Sequence, residues 1–139
     1  PYRAMKAAID MAKLNVGEDN LKIDYINAHG TSTPANDKNE TTAIKQIFDG
    51  KDNCPPVSST KGQIGHCLGA AGAIEAVISI KAMQDKILPP TINYNNVDEN
   101  CDLDYIPNVA RECEVKTIMS NSFGFGGTNG VVILKKFEE

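Results

Sequence analysis

The sequence has no surplus of positive charge: 14 Lys and Arg stand against 18 Asp and Glu, a net charge of −4. Nucleic-acid backbones are bound by clustered Lys and Arg, so this balance argues against nucleic acid as the main partner. No apolar run free of charge reaches the ~18–20 residues that a membrane span requires. The longest candidate, over residues 65–83, is interrupted by Glu75. Cysteines are few, and Cys54, Cys67, Cys101 and Cys113 form no Cys-x-x-Cys pair. That scatter fits reduced thiols in an intracellular compartment better than a disulfide scaffold or a zinc site. A zinc ion on His29, His66 and Cys67 would have no short-spaced ligand pair to anchor it, and no metal or cofactor is expected. There is no Gly-x-Ser-x-Gly elbow, and no cysteine stands in an evident nucleophile turn. The run from Gly124 to Gly130 is not a dinucleotide loop, because a strand and not a helix follows it.

What remains is an ordinary globular composition, 41% hydrophobic and 23% charged over 139 residues. By length this is one domain, or a piece of a larger one. The chain opens at Pro1 directly inside a helical pattern, as expected of a fragment whose targeting segment, if any, lies outside it.

Residues 2–14 place Met5, Ala8, Ile9 and Ala12 at helical spacing opposite Arg3, Lys6, Asp10 and Lys13. This predicts a surface amphipathic helix, closed by Asn15 and Gly17. Residues 22–28 read as a short strand that ends at the turn formers 29–34, and a second helix is expected from Asp37 to Phe48. Residues 55–59 predict a short buried strand running into a loop over 60–65. From Gly65 to Met83 the composition is helical but has almost no polar face. A helix apolar all round must be covered on all sides. Gly69 and Gly72 each forgo roughly 1 kcal/mol of helix propensity, which anticipates close approach by another backbone. Residues 93–104, rich in Asn and Asp, predict a surface loop. Residues 115–121 and 130–137 predict an antiparallel pair of strands joined through residues 124–127. The earlier alternation of helix and strand implies a parallel sheet with crossover helices, hence an α/β fold. Three helices cover its two faces only partly, so the central helix is expected to need a further layer from a second half or a partner.

Ligands of open α/β sheets bind outside the carboxyl ends of the strands. Three strands here end in chemistry-bearing residues: His29; Lys61 followed by His66; and the run Ser122-Phe123-Gly124-Phe125-Gly126-Gly127. If these strands are parallel neighbours, two histidines, a lysine and a glycine-rich loop share one rim. His66 is expected at a helix N-terminus, where the dipole disfavours a cation and so favours neutral imidazole. Glu75, a carboxylate inside an apolar helix, needs a partner, which Lys61 or His66 would supply. The plainer alternatives are a strand-end histidine bonded locally, a solvated Lys61, and a Cys67 that packs.

Three ordered motifs resemble the β-ketoacyl-acyl carrier protein synthases, condensing enzymes with a thiolase-like fold. They are Asn27-Ala-His-Gly-Thr-Ser-Thr-Pro34 with Asp37 and Glu40; Ser59-Thr-Lys61 with Gly65-His66-x-Leu-Gly-Ala-Ala-Gly-Ala-x-Glu75; and Asn121-Ser-Phe-Gly-Phe-Gly-Gly-Thr-Asn129. Pro89-Pro90-Thr91-Ile92-Asn93 is also similar. The likeness is to the elongating type with two active-site histidines. Polyketide synthase modules usually read His-Gly-Thr-Gly-Thr, and the initiating synthases use His and Asn. The resemblance implies residues 1–139 as the C-terminal half of a two-halved fold: a mixed sheet with parallel strands, an antiparallel C-terminal pair and a buried central helix.

It further implies a decarboxylating Claisen condensation of an acyl thioester with malonyl carrier protein. His29 and His66 would assist decarboxylation and stabilise the enolate, Lys61 would orient them, and Glu75 would be its charge partner. Thr31 and Thr33 would bond the pantetheine arm. The Phe125 N–H would form part of the oxyanion hole, its ring the gate to the acyl pocket, with Phe123, Gly124, Gly126 and Gly127 lining the substrate path. The nucleophilic cysteine would belong to the N-terminal half, so this chain alone would be inactive. Implied partners are acyl carrier protein, that other half and a second subunit; implied compartments are bacterial cytoplasm, plastid or mitochondrion. A non-catalytic chain-length-factor-like partner and a polyketide ketosynthase are the alternatives.

Overall fold

The computed structural model describes residues 1–16 and 21–137. Helix α1, Tyr2–Val16, runs past the expected stop at Asn15; the expected Gly17 stop lies outside the described residues. Strand β1, Tyr25–Asn27, is shorter than the strand expected over 22–28. Just before it, the Asp24 carboxylate accepts the backbone N–H groups of Lys116 and Thr117. Helix α2, Pro34–Ile47, begins three residues earlier than expected, because the Thr33 hydroxyl accepts the Asn36 N–H and Pro34 occupies the first turn.

Strand β2, Val57–Ser58, leads into α3, Lys61–Ile64, a single helical turn where a loop was expected. The central helix α4, Ala71–Asp85, starts six residues later than its composition predicts. Two left-handed residues, Gly65 at φ 76° and Leu68 at φ 48°, break the helical path between them. A two-stranded antiparallel ribbon of β3, Ile87–Leu88, and β4, Arg111–Glu112, was not expected at all. Strands β5, Thr117–Phe123, and β6, Asn129–Lys135, form the predicted antiparallel pair.

The main sheet has the order β2-β1-β5-β6, with β1 parallel to both β2 and β5. Register decides which side chains share a face. Ile26 aligns with Val57 and Met119, and this row packs against Met5 of α1 and Ala43 and Ile44 of α2. Tyr25 aligns with Ile118, and this row packs against Ala82 and Met83 of α4. The outer side of α4 is bare: Val77 is 61% and Ile80 42% exposed. The parallel strands with an antiparallel pair are thus present, and the central helix is covered on one side only. Of the two glycines expected in it, Gly72 meets the Ser122 hydroxyl, a side chain and not a backbone, while Gly69 lies before α4 and a Cβ there would meet none of the described residues within 4 Å. Among the described residues no helix is long and apolar enough to cross a membrane.

Candidate active site

Because β1, β2 and β5 are parallel, their carboxyl ends share a rim, and the expected residues gather there. His29 follows β1 by two residues and is buried. The chain turns at Gly30, φ 42°, where a Cβ would come within 2.5 Å of the Ser59 Cβ. The Ser59 hydroxyl donates to the Gly30 carbonyl at 2.7 Å, which ties the turn after β1 to the turn after β2.

His66 lies in the link between α3 and α4, not at a helix N-terminus, so the expected dipole effect does not act on it. Instead the Leu68 N–H donates to His66 Nδ1 at 3.2 Å. The Cys67 backbone, at φ −80° and ψ 20°, turns that N–H back toward the His66 ring. An Nδ1 that accepts leaves the hydrogen of a neutral imidazole on Nε2. The His29 and His66 rings stand edge to face, 5.6 Å apart at 82°. On its other flank His29 meets the Phe123 ring at 5.7 Å.

Lys61 and Glu75 form a buried ion pair, their side chains 6% and 1% exposed, which answers the question of what Glu75 is for. An ion pair this dry persists because each charge needs the other. Burial first, then the charges of Lys61 and His66, lower the His29 pKa to about 4. His29 is therefore neutral at ordinary pH.

The remaining expected residues are arranged less tightly. Thr31 and Thr33 bond each other through their hydroxyls at 3.1 Å, and Thr33 also caps α2. Phe125 points into solvent, wholly exposed; the aromatic ring that meets His29 is Phe123. Gly124 donates its N–H to the Thr128 carbonyl at 2.8 Å, and a Cβ there would lie 2.8 Å from that same oxygen. Gly126 and Gly127 are left-handed. A cavity of about 620 Å³ borders Thr33, Asp37, Tyr94 and Tyr105 but neither histidine; His29 is buried and His66 exposed.

Glu40 and Asn121 stand in the motifs quoted from the sequence, but neither was given a role in the site. Asn121 is fully buried, Glu40 accepts its side-chain amide at 3.0 Å, and Glu40 also holds the His29 N–H. Glu40 precedes Ala43 and Ile44 at helical spacing, so it lies on the apolar face of α2, and that position was the available signal.

Comparison with known proteins follows the same lines. The family described as "Beta-ketoacyl synthase, C-terminal domain" matches residues 2–95. The chain is 59% identical over 115 residues to 3-oxoacyl-acyl-carrier-protein synthase 2 of Coxiella burnetii, an alignment covering 83% of the chain and 28% of that protein. It is 49% identical over 136 residues to nodulation protein E of Rhizobium meliloti, covering 98% and 33%. Among solved structures, a type II polyketide ketosynthase in complex with its acyl-carrier protein superposes with a TM-score of 0.87 at 39% identity, covering 96% of this chain and 33% of that one. The chain thus spans about a third of the length of the relatives it matches.

Proposed function

The chain belongs to the β-ketoacyl synthase family, and on that premise we propose that residues 1–139 are the C-terminal thiolase-like half of an elongating 3-oxoacyl-acyl carrier protein synthase. The observation that carries this reading is the perpendicular His29–His66 pair, with His29 held neutral and Lys61 and Glu75 paired beside it. Decarboxylation of a malonyl thioester breaks the bond to the carboxylate, releases CO2 and leaves its electron pair on an enolate. Neutral His29 and the ring of His66 each offer an N–H to the developing oxygen charge. For His66 that hydrogen is on Nε2, because Nδ1 is occupied. The enolate carbon then bonds to the acyl carbon held on a cysteine, and the thiolate departs. That cysteine belongs to the part of the enzyme beyond these 139 residues.

Lys61 contributes in two ways in this reading. Its charge disfavours protonation of His29, and its ion pair with Glu75 anchors α3 against α4. Thr31 and Thr33 lie on the rim where a pantetheine arm from acyl carrier protein would enter. The Phe125 N–H would donate to the oxyanion, its exposed ring would close on the N-terminal half, and Gly124, Gly126 and Gly127 would let the loop swing. The N-terminal half would cover Val77 and Ile80, and the whole enzyme would pair with a second copy in a reducing intracellular compartment.

The test uses the full-length protein with acyl and malonyl carrier proteins. A covalent acyl-enzyme, CO2 release and a 3-oxoacyl product are expected; failure to form any acyl-enzyme overturns the reading. The likeness to a polyketide ketosynthase supports a second reading, repeated condensation without reduction. Poly-3-oxo products in the same assay would favour it. A non-catalytic partner subunit has no need of both histidines and Lys61.

A further inference from the structure

Glu40 takes no step in that chemistry, yet it is the most fully engaged side chain near His29. It is 3% exposed. Its Oε1 accepts the His29 N–H and the Asn121 Nδ2, each at 3.0 Å. Its Oε2 accepts the Gly30 N–H at 3.0 Å and the Asn36 Nδ2 at 3.2 Å. Burial raises the Glu40 pKa, and these neutral donors offset only part of that rise. Each oxygen meets one backbone N–H, which can only donate, and one side-chain amide, so the carboxylate satisfies all four donors as they stand. The site is built for the anion.

The donors belong to three elements: the turn after β1, the start of α2, and β5. Two residues beyond Asn121, Phe123 sets its ring against His29 and the chain enters the 124–127 turn. Glu40 therefore grips the backbone that carries His29 and the strand that carries the ring facing it. We propose that the Glu40 carboxylate is a positioning residue, fixing His29 relative to Phe123 and the glycine turn through the His29 and Gly30 N–H groups and the Asn121 amide. The proposal rests on the condensing-enzyme reading.

Both Glu40 oxygens are taken by donors within the fold, so its loss should lower turnover and not binding. The experiment measures malonyl decarboxylation by the full-length enzyme, with competent sites counted by acyl loading and KM determined for malonyl carrier protein. Glu40→Gln keeps the shape but turns one acceptor into a donor. Its kcat per competent site should fall on the order of a hundredfold, the size of effect expected from a misplaced group, with KM within about twofold. Asn121→Ala should show a smaller loss with the same split, and the double variant should lose no more than Glu40→Gln alone.

A Glu40→Gln kcat per competent site within about threefold of wild type, a loss confined to KM, or full additivity overturns the proposal. Should Glu40→Gln not fold, Asn121→Ala and Asn36→Ala carry the test, with the same kcat-only loss required. A wild-type enzyme inactive in both assays overturns the functional reading and this inference with it. An active wild type matched by Glu40→Gln overturns the inference alone.

Discussion

On the sheet face covered by α1 and α2 the core is sealed: Met5, Ile26, Ile44 and Met119 are all but fully buried, and Glu40 is held there by neutral donors. On the opposite face α4 packs inward through Ala82 and Met83 and leaves Val77 and Ile80 open, and its carboxylate, Glu75, is held by a lysine. The difference separates support from chemistry. The sealed face fixes backbone positions with dipoles. The open face keeps a true cation–anion pair next to a histidine, where charge alters what the imidazole can do.

The contrast breaks most sharply at the ion pair. In the full-length enzyme, Lys61→Met leaves Glu75 buried and unpaired, and about 3–5 kcal/mol of stability should be lost in urea unfolding. Replacing both, Lys61→Met with Glu75→Leu, should restore most of that stability but not the decarboxylation rate. On the sealed face, Ile44→Ala should cost about 2–5 kcal/mol by opening a cavity, while kcat per competent site stays within about twofold. If Ile44→Ala also lowers per-site turnover by tenfold or more, the division between supporting and reacting faces fails.

The bare side of α4 offers a test of intermediate size. Burying a Val or Ile is worth about 1.5–3 kcal/mol each. In the full-length enzyme, Val77→Glu with Ile80→Glu should therefore strongly impair folding, whereas in the isolated 139-residue chain it should improve solubility, as measured by sedimentation. A cooperative, monomeric melt of the unmodified 139-residue chain would show that this face needs no cover.

Much of this was legible in the residues, and the misses have physical causes. Helix α1 and the β5–β6 pair carry strong periodicity, and they formed close to their expected bounds. That Glu75 needs a partner followed from its place in an apolar helix, with Lys61 and His66 both open; the fold pairs it with Lys61, as the resemblance implied. The link between α3 and α4 was misread because Leu68 is an excellent helix former placed in a left-handed turn. Its composition argues for helix, and only tertiary context holds it otherwise. Strands β3 and β4 are two residues each and lie far apart in the chain, too short for any period to show. Glu40 was quoted with its motif but given no role, because its partner Asn121 stands 81 residues away and only the fold brings the two together.

The gentlest probe of the open face is pH. His29 takes up a proton near 6.5 in an unfolded chain, but in the fold burial, Lys61 and His66 hold it to about 4. Between those values the unfolded state binds more protons than the folded one, so stability rises with pH across that window. The contribution is complete above about 6.5 and fades as pH falls through about 4. In the full-length enzyme, His29→Gln, which cannot be protonated, should flatten the acid side of the stability curve between pH 4 and 6.5 relative to wild type. The difference isolates His29, because every other titrating group is common to both proteins. Lys61→Met probes the same histidine through the pH dependence of activity. It removes a charge that disfavours His29 protonation, so the acid limb of malonyl decarboxylation should move to higher pH. Identical slopes for wild type and His29→Gln would mean that the open face does not hold its histidine neutral, and Lys61 would then serve Glu75 alone.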